Sequence, residues 1–189
     1  MSVEAMLAVN IVCVGDVDSQ VVDSVSAGLA GELKATVTVL DPVPIPPDAY
    51  DPHRRQYNST RILENLDGRQ SAFEPPPGGT ASQPVLLAIT SVDLFVPELN
   101  FVFGEADPGG RKCIISLARL ASSYGGATVP RNLLLERALK EAVHEIGHVL
   151  GLGHCGRRSC VMFFSNTIRD TDTKSHTFCP SCLHRLSRP

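Results

Sequence analysis

The chain has 189 residues, of which 43% are hydrophobic and 20% are charged, and its formal net charge is −3. A chain of this size can bury one sizeable core, so we predict a single domain over residues 1–189. The acidic balance provides no general attraction to nucleic acid, and no apolar stretch is long enough to cross a membrane. We therefore expect a soluble protein, most simply a monomer, with no nucleic-acid or membrane partner.

The first part of the chain alternates between strand and helix patterns. The apolar run at residues 8–14 predicts a buried strand, and apolar residues then recur on one helical face from Val21 to Leu29. Residues 35–40 alternate as a second strand, so the chain opens with a βαβ-like unit. Four prolines between residues 42 and 47 predict an extended connector, because proline lacks the N–H that a central strand requires.

The middle of the chain predicts one more helix and three more strands. Residues 55–66 have the pattern of a helix, and residues 67–83 are rich in proline and glycine, as is typical of a surface loop. Strand character resumes at residues 84–90, 100–104 and 113–118. Together these elements predict an α/β (α+β) fold with a mixed sheet.

The histidines at positions 144 and 148 have the spacing of metal ligands. Residues four apart lie on one face of a helix, which we predict from Pro130 to about Leu150, so His144 and His148 can bind one ion. Glu145 lies beside this pair, where it can take a proton from a metal-bound water as general base. The pattern is typical of zinc metallohydrolases.

A third histidine extends this pattern to H-E-x-x-H-x-x-G-x-x-H. His154 is six residues past His148, and a continuing helix would carry it to another face. Gly151 can adopt the left-handed conformation that ends a helix, so the chain can reverse and return His154 to the metal. Three protein ligands leave a fourth position open, which is typical of a catalytic rather than a structural zinc.

Four cysteines follow directly and predict a second zinc site. They are Cys155, Cys160, Cys179 and Cys182. Four thiolates form a closed tetrahedral site, whose function is structural; the alternative is two disulfides. Residues 1–14 lack the features of a secretory signal, and Cys13 and Cys113 lie in apolar runs, as reduced core thiols do. This favours zinc and a cytoplasmic location.

Together these motifs resemble the archaemetzincins, a family of metzincin-type zinc metallopeptidases. The resemblance rests on the following residues: His144, Glu145, His148, Gly151, His154, Cys155, Cys160, Met162, Cys179 and Cys182. Segments 42–44, 51–59 and 100–106 also look like parts of that family. The resemblance therefore spans nearly the whole chain.

The resemblance implies a compact metzincin-like domain with a mixed twisted sheet, an active-site helix and a C-terminal four-cysteine zinc subregion. Its parts would be residues 1–128, 129–154 and 155–189. Met162 would lie in a tight turn beneath the catalytic metal without binding it. The last strand, assigned to residues 113–120, would be an antiparallel edge above the cleft, where a peptide could pair. The alternative is that this strand is interior.

These predictions point to a zinc-dependent peptidase that binds two Zn²⁺ per chain and acts on a peptide or protein substrate. The alternative is a zinc-stabilised peptide-binding or scaffold protein, whose catalytic site is blocked by residues 67–83 or by the C-terminal tail. The other histidines, at positions 53, 176 and 184, lack ligand spacing and are expected at the surface. Tyr124 is a candidate for stabilising an oxyanion.

Overall fold

A computed structural model of the chain describes residues 7–67, 83–123 and 125–187. The chain opens with strand β1 (Ala8–Val14), helix α1 (Ser19–Glu32) and strand β2 (Thr36–Val39). The two strands pair in parallel, and α1 buries the apolar residues that recur at helical spacing. The predicted βαβ opening is therefore confirmed.

The elements that follow depart from the prediction at residues 55–66, and also at residues 100–104, where the strand begins only at Gly104. They are a short 3₁₀ helix (Pro47–Ala49), β3 (Tyr50–Asp51), β4 (Gln56–Asn58), α2 (Ser59–Glu64), β5 (Val85–Thr90), β6 (Leu94–Phe95), β7 (Gly104–Asp107), β8 (Lys112–Ser116), α3 (Arg131–Val149), α4 (Ile168–Thr173) and α5 (Pro180–Leu186). Residues 56–58 form a strand because they pair with both β3 and β6. The helix starts only after Asn58, whose side chain accepts a hydrogen bond from the backbone N–H of Arg61 (3.1 Å). The loop predicted at 67–83 lies, except for its two end residues, outside the described residues.

The predicted mixed sheet is present. In the described part of the chain it has five strands in the order β2-β1-β5-β8-β7. The first four strands run parallel, and β7 pairs antiparallel with β8. Strands β3, β4 and β6 form a second, smaller sheet.

The prediction that residues 113–120 form the edge strand is wrong. Strand β8 lies between β5 and β7, and its five residues are all buried. The edge is β7, whose sequence G-E-A-D is only half-buried. Because an edge strand keeps one row of backbone groups unpaired, the more polar of the two strands takes that position.

Helix α3 lies against the end of the sheet that carries the edge strand. One apolar cluster joins β1, β5 and β8 to α1 and α3, and a second cluster joins the opposite face of the sheet to α2. Helix α3 packs against both β7 and β8. The predicted zinc helix is thus fixed beside β7. Within the three described ranges, no helix combines the length and apolar character needed to cross a bilayer.

Candidate metal centre and catalytic cleft

Helix α3 and the turn after it bring three imidazole rings together. His144 and His148 lie on α3, which ends at Val149, and Gly151 follows with φ of +91°. This left-handed residue reverses the chain, so the ring centre of His154 comes within 5.5 Å of that of His144 and 4.8 Å of that of His148. One nitrogen from each ring lies within 4.8 Å of the others. The three rings can therefore share one ion.

Backbone carbonyls determine the tautomers of His144 and His148, and so which ring nitrogen is free to bind a metal. The Nδ1 of His144 lies 2.7 Å from the carbonyl oxygen of Val161, and the Nδ1 of His148 lies 2.8 Å from that of Leu152. Since a carbonyl can only accept, each Nδ1 carries the proton and donates it. Each Nε2 is then unprotonated and has a lone pair that can bind a metal ion.

The two bare nitrogens face each other. The Nε2 atoms of His144 and His148 are 3.1 Å apart. Two lone pairs at this distance repel, whereas a cation between them turns the repulsion into binding. A tetrahedral ion with Zn–N bonds of about 2.0–2.1 Å separates its ligands by roughly 3.3 Å, so the observed spacing fits a zinc ion.

The pKa values of all three imidazoles are lowered. Burial, followed by the nearby Lys174 ammonium, lowers the pKa of His144 to about 2. The pKa values of His148 and His154 are lowered chiefly by burial. The rings are therefore neutral near pH 7, which is the state that binds a metal.

Glu145 is a buried carboxyl at the wall of the cleft. Burial raises its pKa well above the ordinary value; the Glu141 carboxylate raises it further, and the Lys174 ammonium opposes the rise. A carboxyl with a raised pKa accepts a proton more readily near neutral pH, as a general base must.

Gly104, the first residue of the edge strand, leaves room for the carboxylate of Glu145. A Cβ at this position would lie 2.6 Å from Oε1 of Glu145 and 2.7 Å from the carbonyl oxygen of Ile114. Neither distance is possible for a real side chain, and the backbone of β8 cannot yield easily. Glycine at position 104 is therefore what lets β7 pass directly over Glu145.

A buried ion pair beneath the histidines was not predicted. The side chain of Lys174 is 0% exposed, and its ammonium lies 3.1 Å from Oε1 of Glu141. The same oxygen accepts a hydrogen bond from the hydroxyl of Thr171 (3.1 Å), and Asp172 forms two hydrogen bonds with Arg137 (2.7 and 2.8 Å). These contacts fasten α4 and the residue after it to α3. No sequence pattern predicted them, because a lysine in a polar run is usually exposed.

The four C-terminal cysteines form a second group that can hold an ion. Their sulfur atoms all lie within 4.8 Å of one another, at 3.8 Å between Cys155 and Cys179 and 3.7 Å between Cys160 and Cys182. Disulfide sulfurs would be about 2.0 Å apart, whereas a tetrahedral zinc with bonds of about 2.3 Å separates its sulfurs by about 3.8 Å. The backbone N–H of Cys182 lowers the pKa of Cys179 to about 6, whereas burial raises the pKa values of Cys160 and Cys182. The spacing fits zinc.

Met162 lies between the two groups of candidate ligands. It is fully buried in a tight turn closed by a hydrogen bond from the N–H of Phe163 to the carbonyl of Cys160 (2.9 Å). Its thioether occupies the space that a side chain at Gly147 would need. Met162 thus packs directly against the turn of α3 that lies between His144 and His148.

A cleft of about 750 Å³ opens over the histidines and Glu145. Residues 99–104 form one wall of the cleft, and residues 164–166 also line it. Leu99 and Phe164 are 47% and 44% exposed, and both side chains border the cleft. In the described part of the chain, β7 pairs on one side only, so its second backbone edge is available to a peptide.

The weaker sequence candidates lie elsewhere. His53 and His184 are exposed, as expected, and His176 is half-buried with its Nε2 3.1 Å from the carboxylate of Glu32. Tyr124 lies outside the described residues. Over the ranges that the structure describes, the two groups above are the ones with metal-binding geometry.

Comparisons with known proteins agree with this geometry. The model of Peptidase family M54 matches residues 20–188. The archaemetzincin of Methanocaldococcus jannaschii is 41% identical over 173 residues, which cover 92% of this chain and 89% of that protein. The crystal structure of the archaemetzincin of Archaeoglobus fulgidus, complexed with malonate, gives a TM-score of 0.77 at 38% identity and covers 95% of this chain and 99% of that one. The crystal structure of a zinc-dependent peptidase from Methanocorpusculum labreanum gives a TM-score of 0.83 at 29% identity. The match covers 95% of this chain and 100% of that one.

Proposed function

The chain belongs to peptidase family M54, the archaemetzincins, which makes it a zinc metallopeptidase, and from this premise we propose that Glu145 is the general base of peptide hydrolysis. The proposal assigns the catalytic zinc to His144, His148 and His154. The observation that carries it is the pair of bare Nε2 atoms 3.1 Å apart, beside the buried carboxyl of Glu145. The carbonyls that accept from both Nδ1 atoms leave both Nε2 atoms free to bind an ion.

In the proposed reaction, the bound metal and the protein's own residues have different roles. When bound, zinc supplies Lewis-acid chemistry, which lowers the pKa of water and polarises a carbonyl oxygen. Glu145 removes a proton from the attacking water while the oxygen of that water forms a bond to the scissile carbon. Glu145 then gives the proton to the leaving nitrogen as the C–N bond breaks. The immediate products are a carboxylic acid and an amine, and transfer of the second proton of the water converts them into a carboxylate and an ammonium. Strand β7 holds the peptide above Glu145 by backbone pairing.

The proposal includes a second, structural zinc at Cys155, Cys160, Cys179 and Cys182. The tetrahedral spacing of the sulfurs supports it. Two zinc ions are therefore expected per chain. Met162 and Gly151 shape the catalytic centre without contributing a ligand.

The proposal also covers the protein's organisation and location. Residues 1–189 form one metallopeptidase domain that works as a monomer and binds neither nucleic acid nor membranes. Four thiolates that must stay reduced to hold an ion favour the cytoplasm.

Metal removal and restoration test the function. We expect the purified protein to cleave members of a mixed-sequence quenched peptide library, to lose this activity in a chelator, and to regain it when zinc is added back. The measurement is the rate of fluorescence increase at each stage. Binding of the peptides by the zinc-loaded protein without turnover would instead support the scaffold alternative.

A further inference from the structure

The segment from Asp51 to Ser59 is one of the stretches that resemble archaemetzincins, yet none of its residues reaches the metal centre. It lies behind the rim segment, residues 97–103, which forms much of one wall of the cleft. We propose that Arg54 and Gln56 are positioning residues that fix the rim segment for contact with the peptide. This inference rests on the proposed peptidase function.

Arg54 holds the start of the rim segment by its backbone. Its Nη1 donates to the carbonyl of Leu99 (3.0 Å) and its Nη2 to that of Pro97 (3.4 Å). The guanidinium carbon lies 4.5 Å from the ring centre of Phe95, which fixes its plane. The carboxylate of Asp51 accepts a hydrogen bond from the backbone N–H of Arg54 (3.1 Å). This bond orients the turn that contains Arg54.

Gln56 holds the middle of the rim segment. Its side chain is buried, and Nε2 donates both to the carbonyl of Asn100 (3.0 Å) and to Oδ2 of Asp93 (3.0 Å). Asp93 also accepts two hydrogen bonds from Arg119 (2.7 and 2.8 Å), whose guanidinium carbon lies 4.1 Å from the ring centre of Phe101. The network therefore reaches both the backbone and a side chain of the rim segment.

The rim segment depends on these contacts because little of it is in the sheet. It precedes β7, and its backbone joins the sheets only at its end, where the Val102 N–H donates to the carbonyl of Leu94 (3.0 Å) and the Ser116 N–H donates to the carbonyl of Phe103 (2.8 Å). The carbonyls of residues 97, 99 and 100 are bound by side chains instead. Contacts outside the cleft thus hold the wall that bears Leu99 and Phe101, while the proposed catalytic groups lie on α3 and on the turn that follows it. Loosening the wall should weaken peptide binding more than chemistry.

Arg54→Ala tests this role. We expect KM to rise about tenfold, equivalent to about 1.4 kcal/mol, while kcat and zinc content stay near the wild-type values. Amide hydrogen exchange should become faster in residues 97–103 and stay unchanged in α3. Arg54→Lys keeps the charge but cannot donate to both carbonyls through a planar guanidinium. Its KM should therefore lie between those of the alanine variant and the wild-type protein. The probe is the quenched library peptide that the wild-type protein cleaves fastest.

Arg61→Ala is the matched control. Arg61 is also an exposed arginine that donates to a backbone carbonyl, that of Asp48 (3.4 Å), but it lies on α2 away from the rim segment. The Arg61→Ala substitution should change neither KM nor the rate of amide hydrogen exchange in residues 97–103. An unchanged KM in Arg54→Ala, or a fall in kcat at constant KM, would overturn the inference. Absence of turnover in the zinc-loaded wild-type protein would overturn the proposed function itself, and a thermal melt identifies a variant that has merely unfolded.

Discussion

Replacing Glu145 by glutamine should leave zinc bound and lower kcat by a factor on the order of 10²–10⁴, the usual contribution of a general acid–base group. The amide has the shape of the carboxylate but cannot take the proton of the attacking water. Zinc should remain because the three imidazoles supply the ligand nitrogens and Glu145 supplies none. The measurements are kcat on the quenched peptide and zinc per chain by elemental analysis.

A glutamate on the same helix provides the control for this variant. Glu136 is exposed, and its carboxylate pairs with Lys140 (2.7 Å) two turns before the histidines. Glu136→Gln removes the same charge from α3 but keeps an oxygen that can accept from the buried Lys140 ammonium, and Glu136 does not line the cleft, so the variant should retain nearly full activity. Undiminished hydrolysis by the zinc-loaded Glu145→Gln protein would reject Glu145 as the base.

Replacing Cys179 by serine should reduce zinc at both sites, although Cys179 lies outside the catalytic centre. His154 and Cys155 are adjacent in sequence, so a loosened cysteine group frees the third histidine. The carbonyl that orients His144 belongs to Val161, which follows Cys160. The backbone N–H of Cys155 also donates to the carbonyl of Met162 (2.8 Å). Two of the three imidazoles thus depend on the segment that the cysteines hold.

Zinc analysis of the Cys179→Ser protein measures this coupling. We expect the content to fall from two ions per chain to below one, with peptide hydrolysis falling in parallel. Cys13→Ala is the control: Cys13 is a half-buried thiol in β1, outside the four-cysteine group, and should leave both sites loaded. Full occupancy of the histidine site in Cys179→Ser would show that the two sites are independent.

Sequence spacing predicted the parts of this molecule that depend on local geometry. His144 and His148 share a helical face because α-helices have a fixed pitch, and Gly151 has the positive φ expected of it. Strand β1 and helix α1 also follow from hydrophobic periodicity alone.

The features that sequence reasoning missed depend on tertiary contacts. The sequence predicted strands at residues 100–104 and 113–118, but the edge strand is Gly104–Asp107, because the order of strands in the sheet decides which segment pairs at the edge. Lys174 is buried because Glu141, 33 positions earlier, supplies its counter-charge. Arg54 and the carbonyls that it binds are more than 40 residues apart. No periodicity or local motif encodes such pairings.

The central claim is that one zinc ion lies among His144, His148 and His154. The most direct measurement is a crystal structure of the zinc-loaded protein with anomalous data collected on both sides of the zinc absorption edge. We predict two peaks, one of them about 2.0–2.1 Å from a nitrogen of each of the three rings, with a fourth position facing the cleft. A peak at the cysteines alone, or a histidine ring turned away from the ion in the fully loaded protein, would contradict the account.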